Sequence, residues 1–180
     1  MSQLKIYSED RSQNPLLQSS NGKEIAAEFA KVGVLFERWE ATSQIADDAS
    51  NEEIIAAYQE DIQRLIEKSG YQTYDVINVN PEITEKEKIR NKFLSEHTHA
   101  DDEIRFFIKG KGLFALHIKD KVYQIICEKN DLITVPANTP HWFDMGATPS
   151  FSCIRLFDSP AGWVPYYTGS NISDRFDRLN

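Results

Sequence analysis

A chain of 180 residues with 41% hydrophobic and 11% aromatic side chains carries enough apolar material for a folded core, which excludes a disordered segment. Its 28 acidic against 20 basic residues leave a formal charge of −8, and no Lys/Arg cluster stands out, which excludes a surface built to track nucleic-acid phosphates or anionic lipid. The opening MSQLKIYSED lacks the basic and apolar regions of a secretory leader, and no apolar run approaches a membrane span, so the expectation is a cytoplasmic protein with neither nucleic acid nor membrane as partner.

In chain order, SNGKEIAAEFAKVG reads first as a short helix. Asn21 and Glu24 stand at capping-box spacing, Ile25, Phe29 and Val32 share one face, and Gly33 closes it. VLFERWE then alternates as a strand. A longer helix is expected from about Asn51 to Ser69, with Ser50 as cap and Glu53 three residues on. Its apolar stripe is Ile54, Ile55, Tyr58, Ile62, Leu65 and Ile66, and Gly70 follows it. TYDVINV (Thr73 to Val79) is strand-like, and Asn80-Pro81 opens a further helix to about Leu94.

Near residue 90 the periodicity drops to two. EIRFFIK, LFALHIK, VYQIICE, DLITVP and FSCIRLFD are short β-rich runs, punctuated by Gly110 and Gly112, Asp120-Lys121 and Asn130-Asp131. Short strands at this spacing build a small antiparallel barrel or double-sheet sandwich, with the preceding helices packed outside. Cys127 and Cys153 lie in these runs and form no CxxC. Two buried free thiols are the expectation, and a disulfide between them is the alternative.

The histidines concentrate the chemistry. EHTHADDEIRFF holds two of the chain's four, His97 and His99, and residues two apart on an extended chain aim the same way. Glu103 opens the next strand, and the Ala100-Asp101-Asp102 link lets its carboxylate return to the same point. Two imidazoles and a carboxylate that leave open positions suit Fe(II), Mn(II) or Ni(II). A fourth donor, His141, stands in VPANTPHWFD, where prolines on both sides of Ala137-Asn138-Thr139 restrict the backbone. On the residues alone, two surface histidines in a polar loop remain the competing reading of the first pair.

Taken together, HxHxxxE with Gly110 beyond it, and proline, turn and histidine at the end of a later strand, resemble the two halves of the cupin signature. Asn130 and Asn138 depart from it, standing where many cupins carry glycine. KFLSEHTHADDEIRFFIKGKGLFALHI, CEKNDLITVPANTPHWFDMG and IRLFDSPAGW further resemble the acireductone dioxygenases of methionine salvage, a similarity that extends over nearly the whole chain. That resemblance implies a mostly β fold with α additions. It would be a cupin double-stranded β-helix, a jelly-roll-like barrel with the helices of the N-terminal half outside. It implies one domain over 1–180: an α+β part at 1–90, a metal-binding barrel at about 91–160 and a tail at 161–180. It also implies a monomer with one Fe(II) or Ni(II) per chain, held by His97, His99, Glu103 and His141. The substrates would be O2 and the acireductone 1,2-dihydroxy-3-keto-5-methylthiopentene. The Fe(II) form would yield 4-methylthio-2-oxobutanoate and formate, and the Ni(II) form methylthiopropionate, formate and CO.

Arg105 alternates in phase with Glu103 and should face the interior, where a guanidinium needs an anion. The resemblance gives it a part in generating or holding the substrate dianion; a structural salt bridge is the alternative. Arg155 is a second candidate for the substrate, or a rim ion pair. The resemblance gives Glu96 a role in metal incorporation and Asp102 a role in relaying local conformational change; without it both read as solvated loop acids. Phe93, Phe107, Phe143 and Trp163 could wall the methylthio tail or simply be core. His117 reads as a satisfied core or rim histidine. Another cupin dioxygenase and a non-catalytic metal-binding cupin are the competing functions.

Overall fold

Glu103 begins a strand that serves two sheets. The computed structural model describes residues 1–39, 45–46, 48–71, 73–157 and 164–179. In order, its elements are β1 (Gln3–Ser8), β2 (Leu17–Ser19), α1 (Gly22–Ala30), β3 (Leu35–Arg38), α2 (Asn51–Ala57), α3 (Gln59–Ser69), β4 (Thr73–Val79) and α4 (Lys86–Leu94). There follow β5 (His97–Thr98), β6 (Glu103–Ile118), β7 (Lys121–Glu128), β8 (Asp131–Val135), β9 (His141–Asp144), β10 (Phe151–Phe157) and β11 (Tyr166–Tyr167), then a 3₁₀ turn at Ile172–Arg175. All the pairings are antiparallel. One sheet runs β11-β5-β9-β6-β7-β1-β2, and the other runs β4-β10-β6-β8-β3. The mostly β fold with α additions is the one the patterning predicts. No helix among the described residues is long and apolar enough to cross a membrane.

The first half of β6 pairs with β8 and β10, and its second half with β7 and β9. EIRFFIK and LFALHIK, expected as separate strands, are therefore one. Gly110 at φ +67 bends the strand without ending it. The pairing with β10 also skips a residue, since Ser152 faces Lys109 and Cys153 faces Phe107. One extra residue exchanges the faces of a strand. Before the bulge Phe107 joins the cluster between the sheets, and Phe114 and Leu116 join it after. Ile104, Phe106 and Ile108 turn the other way and are covered by Ile54, Tyr58, Ile62 and Leu65 of the α2–α3 segment. Those helices pack outside, as expected, whereas α1 sends Ile25 and Phe29 into the cluster the two sheets share.

Local signals succeed where a side chain closes its own hydrogen bonds. Ser50 and Glu53 form a full capping box. At Asn21 only half a box forms: its side chain takes the amides of Lys23 and Glu24, while Glu24 accepts from Ser19 Oγ at 2.5 Å. The helix expected over 51–69 is interrupted at Tyr58 (φ −106, ψ 16), whose fully buried ring stands edge-on to Phe106. The helix expected from Pro81 begins only at Lys86. Asn80 instead closes a turn onto Glu82 N, and Glu85 sits at φ 59. Asn130 and Asn138 have φ 76 and 59, the left-handed backbone that glycine adopts freely and asparagine tolerates best among the rest. The departure from the cupin glycines therefore keeps the same turns.

Candidate metal centre

Three short elements bring the donors together. His97 opens β5, His141 opens β9, and the two are direct cross-strand partners. His99 lies one residue past β5. Its carbonyl takes the amide of Asn138 at 2.8 Å, tying the HTH segment to the proline turn that carries His141. Glu103 is the first residue of β6. The rings of His97, His99 and His141 stand 4.6–5.2 Å apart, and one donor atom from each lies within 4.8 Å of the others. All four residues are buried, at 1–5% exposure.

The backbone sets the tautomers. Each Nδ1 donates to a carbonyl: His97 to Ser95 O (2.7 Å), His99 to Val164 O (3.2 Å) and His141 to Thr139 O (2.8 Å). Each neutral ring therefore keeps its lone pair on Nε2. Glu103 Oε2 faces two of these nitrogens, 3.1 Å from His141 and 3.5 Å from His99. Burial, with the neighbouring His141, lowers the pKa of His97 to about 4, and burial also lowers that of His99. Burial works against ionisation of Glu103, yet the Arg105 guanidinium holds it well below the usual carboxylate range. Lone pairs and a carboxylate converging at these distances repel one another unless a cation lies among them. The spacing also suits one, since donors about 2.1 Å from a common ion sit about 3 Å apart along an octahedral edge. The donor set fits a divalent first-row metal.

Glu103 divides its oxygens between two partners. Oε1 accepts from Arg105 Nε at 2.5 Å, and the guanidinium lies 4.8 Å from the Phe143 ring centre and 5.3 Å from that of Phe114. Such cation–π contacts help a charge that is only 3% exposed. Burial opposes its charge, but Glu103 raises its pKa.

The remaining sequence candidates are distributed around this centre. Phe93 stands 6.2 Å from His97, centre to centre, and Phe107 and Phe143 belong to one aromatic group with Phe114 and Phe151. Arg155 shares the face of Arg105 one strand away and is paired in bidentate fashion with Asp75. Asp102 accepts from Tyr71 Oη (2.8 Å) and from Ala137 N (2.8 Å), bracing the proline turn. Glu96 is no solvated acid: it is 4% exposed and takes His117 Nδ1 and Thr168 Oγ1, each at 2.7 Å. Trp163 lies outside the described residues. Cys127 and Cys153 are free, buried thiols, and burial pushes Cys153 up to about 11.

Sequence reasoning missed the acceptors at Ser95, Thr139 and Val164, for which no side-chain signal exists. It also missed Tyr167, whose ring stands 6.0 Å from that of His97. It passed over the clamp of Arg90 on the fully buried Asp144 (2.7 and 2.9 Å), which fixes α4 to the strand of His141.

Residues 3–165 match the ARD/ARD′ family. The chain is 51% identical to an acireductone dioxygenase of Yersinia pestis (strain Pestoides F) over 179 residues, 99% of each chain. It is 52% identical to one from Serratia proteamaculans (strain 568) over the full length of both. Among solved structures it resembles an acireductone dioxygenase from Bacillus anthracis with a cadmium ion in its active centre. That match has a TM-score of 0.81 and 28% identity, and it covers 93% of this chain and 98% of the other.

Proposed function

The chain belongs to the ARD/ARD′ family, the acireductone dioxygenases, and on that premise we propose that it cleaves 1,2-dihydroxy-3-keto-5-methylthiopentene with O2 at a single Fe(II) or Ni(II). His97, His99, Glu103 and His141 would hold the ion. The observation that carries this reading is the convergence of Nε2 lone pairs on one carboxylate oxygen, an arrangement suited to a divalent cation. The cadmium in the Bacillus anthracis relative supports it.

When bound, the metal supplies positive charge and a template on which an electron-rich enediolate and O2 can be oriented. The protein's part follows from its charges. Three neutral imidazoles add none, and Glu103 and Arg105 cancel, so the divalent charge remains to match a substrate dianion. Arg105 holds Glu103 by one oxygen and thereby turns the other toward the imidazoles. It also keeps a cation where the dianion arrives, which favours loss of the substrate's second proton. Phe93, Phe107, Phe143 and Trp163 would exclude water and receive the methylthio tail, and Arg155, held by Asp75, would border the substrate at the rim. Glu96 would serve metal incorporation, and Asp102 would pass local movements between the Tyr71 loop and the proline turn. The protein would act as a cytoplasmic monomer, one domain over 1–180 with its metal-binding core at about 91–160.

The test is reconstitution. Metal-free protein loaded anaerobically with Fe(II) should convert the reductone and O2 to formate and the keto acid 4-methylthio-2-oxobutanoate. The same protein loaded with Ni(II) should give methylthiopropionate, formate and CO. One unchanged product set with both metals would refute the metal-dependent part, and no turnover with either would refute the whole reading.

A further inference from the structure

We propose that His117 is a positioning residue: through Glu96 and Thr168 it holds β11 in register on β5, and so keeps the Val164 carbonyl on the imidazole of His99. Its consequence for metal binding rests on the function proposed above; its consequence for the His99 tautomer does not.

His117 follows the bulge in β6 and, like Ala115, faces away from the cluster between the sheets. Its Nδ1 lies 2.7 Å from Glu96 Oε2 and its Nε2 lies 2.9 Å from Glu9 Oε2. With an acid on each nitrogen, both must donate, and the ring is an imidazolium. Burial opposes that charge, but the hydrogen bonds to Glu9 and Glu96 raise its pKa. Glu96 is buried beside His97 in sequence, yet its side chain turns to these partners. Its second oxygen accepts from Thr168 Oγ1 at 2.7 Å, and its carbonyl accepts from Thr168 N at 3.2 Å. A buried carboxylate is costly unless partnered. Removing His117 leaves Glu96 with one neutral donor.

Among the described residues, few other contacts fix the strand held this way. β11 contributes two residues at the edge of its sheet, with Tyr166 and Tyr167 58% and 54% exposed, so burial adds little to its register. Among the described residues, its side-chain anchors are Thr168 on Glu96, Tyr167 Oη on Lys92 O (2.9 Å) and the edge-on contact of the Tyr167 ring with His97. At its near end lies Val164 O, at 3.2 Å the longest of the three carbonyl contacts that fix the imidazoles. If β11 slips, His99 loses the Val164 acceptor that biases its proton to Nδ1 and leaves the Nε2 lone pair facing Glu103.

The test uses the full chain with His117→Gln and Thr168→Val; Thr168 is at the surface. NMR of ¹⁵N-labelled histidines in the metal-free protein reports which nitrogen of His99 carries the proton. Competition with a chelator reports Ni(II) affinity per folded molecule. The wild type should show a single Nδ1–H tautomer. Both variants should show a mixture and bind Ni(II) at least about tenfold more weakly. The double variant should be no worse than the poorer single one, because both act through Glu96. His117→Lys, which keeps a cation between the acids, should restore most of the loss. An unchanged His99 tautomer in folded Thr168→Val overturns the proposal, as does a double variant whose losses multiply. Should His117→Gln not fold, the Thr168 variant decides. A wild type that fails to bind Ni(II) would defeat the metal reading, while the tautomer measurement would still decide this one.

Discussion

Replacing Gly110 by alanine should be among the most damaging single-methyl changes in the protein. Two effects add. At φ +67 any β-carbon meets its own carbonyl, at a cost of about 1–2 kcal/mol. Here the new carbon would also lie 1.9 Å from Ser150 O, 2.7 Å from Phe151 Cα and 2.8 Å from Ser150 C, all backbone atoms that no rotamer change can move aside. The start of β10 would have to retreat by more than about 1 Å to reach ordinary contact. That gives up the Phe151–Gly110 pairing, about 1 kcal/mol per hydrogen bond, and loosens Phe151 from Phe107 and Phe143. The sum is about 3–5 kcal/mol, and for a chain of this size Tm should fall by about 8–15 °C. Gly33→Ala is the control: its φ is +76, but nothing lies within 4 Å of the added carbon, so only the left-handed backbone cost of about 1–2 kcal/mol applies. Urea unfolding of the metal-free variants measures both. If the two losses agree within about 1 kcal/mol, the close approach of β10 contributes nothing and the reasoning fails.

Arg105→Gln should leave a protein that still binds Ni(II) but turns over the reductone at least 100-fold more slowly, about 3 kcal/mol of lost transition-state stabilisation; steady-state kinetics within tenfold of wild type would remove the arginine from the chemistry. Metal-free protein should lose stability as pH falls from 6.5 towards 4. With its folded pKa near 4, His97 takes up its proton later than the unfolded chain does, so the loss reaches about 3 kcal/mol and vanishes above 6.5. Urea midpoints at pH 7.5, 5.5 and 4.5 would show this slope, and His97→Asn should flatten it. Asp144→Asn strands Arg90 and weakens the acceptor for the amides of Gly146 and Leu179, so it should cost about 3–5 kcal/mol. Limited proteolysis should then cut the 172–179 tail first, and a tail as resistant as in the wild type would count against the clamp.

What was legible in the sequence follows the range of each interaction. Ser50 with Glu53 predicts its own helix start because both partners are three residues apart. VYQIICE and DLITVP predict strands because one face of each is core. β5, β9 and β11 are too short to show a period, and β1 was passed over although Leu4 and Ile6 are core residues of its sheet. The GKG step concealed the continuity of β6, since glycine usually ends a strand. Within the site, HTH, Glu103 and His141 could be read because metal donors are few in kind and the motif fixes their spacing. The partners of Glu96 could not: Thr168 lies 72 residues away and His117 lies 21 away, on the far side of a bulge that reverses the faces of β6.

The imidazoles owe their orientation to the carbonyls of Ser95, Thr139 and Val164, and a carbonyl belongs to every amino acid alike. Almost any residue at those three places offers the same acceptor, provided the chain keeps its course. Descent can therefore rewrite them without disturbing the centre, and scoring relatives by residue identity would pass over three of its fixed points. What has to be inherited there is a path through space, and the letters that encode it lie elsewhere, in the turns and pairings that lead the chain past each ring.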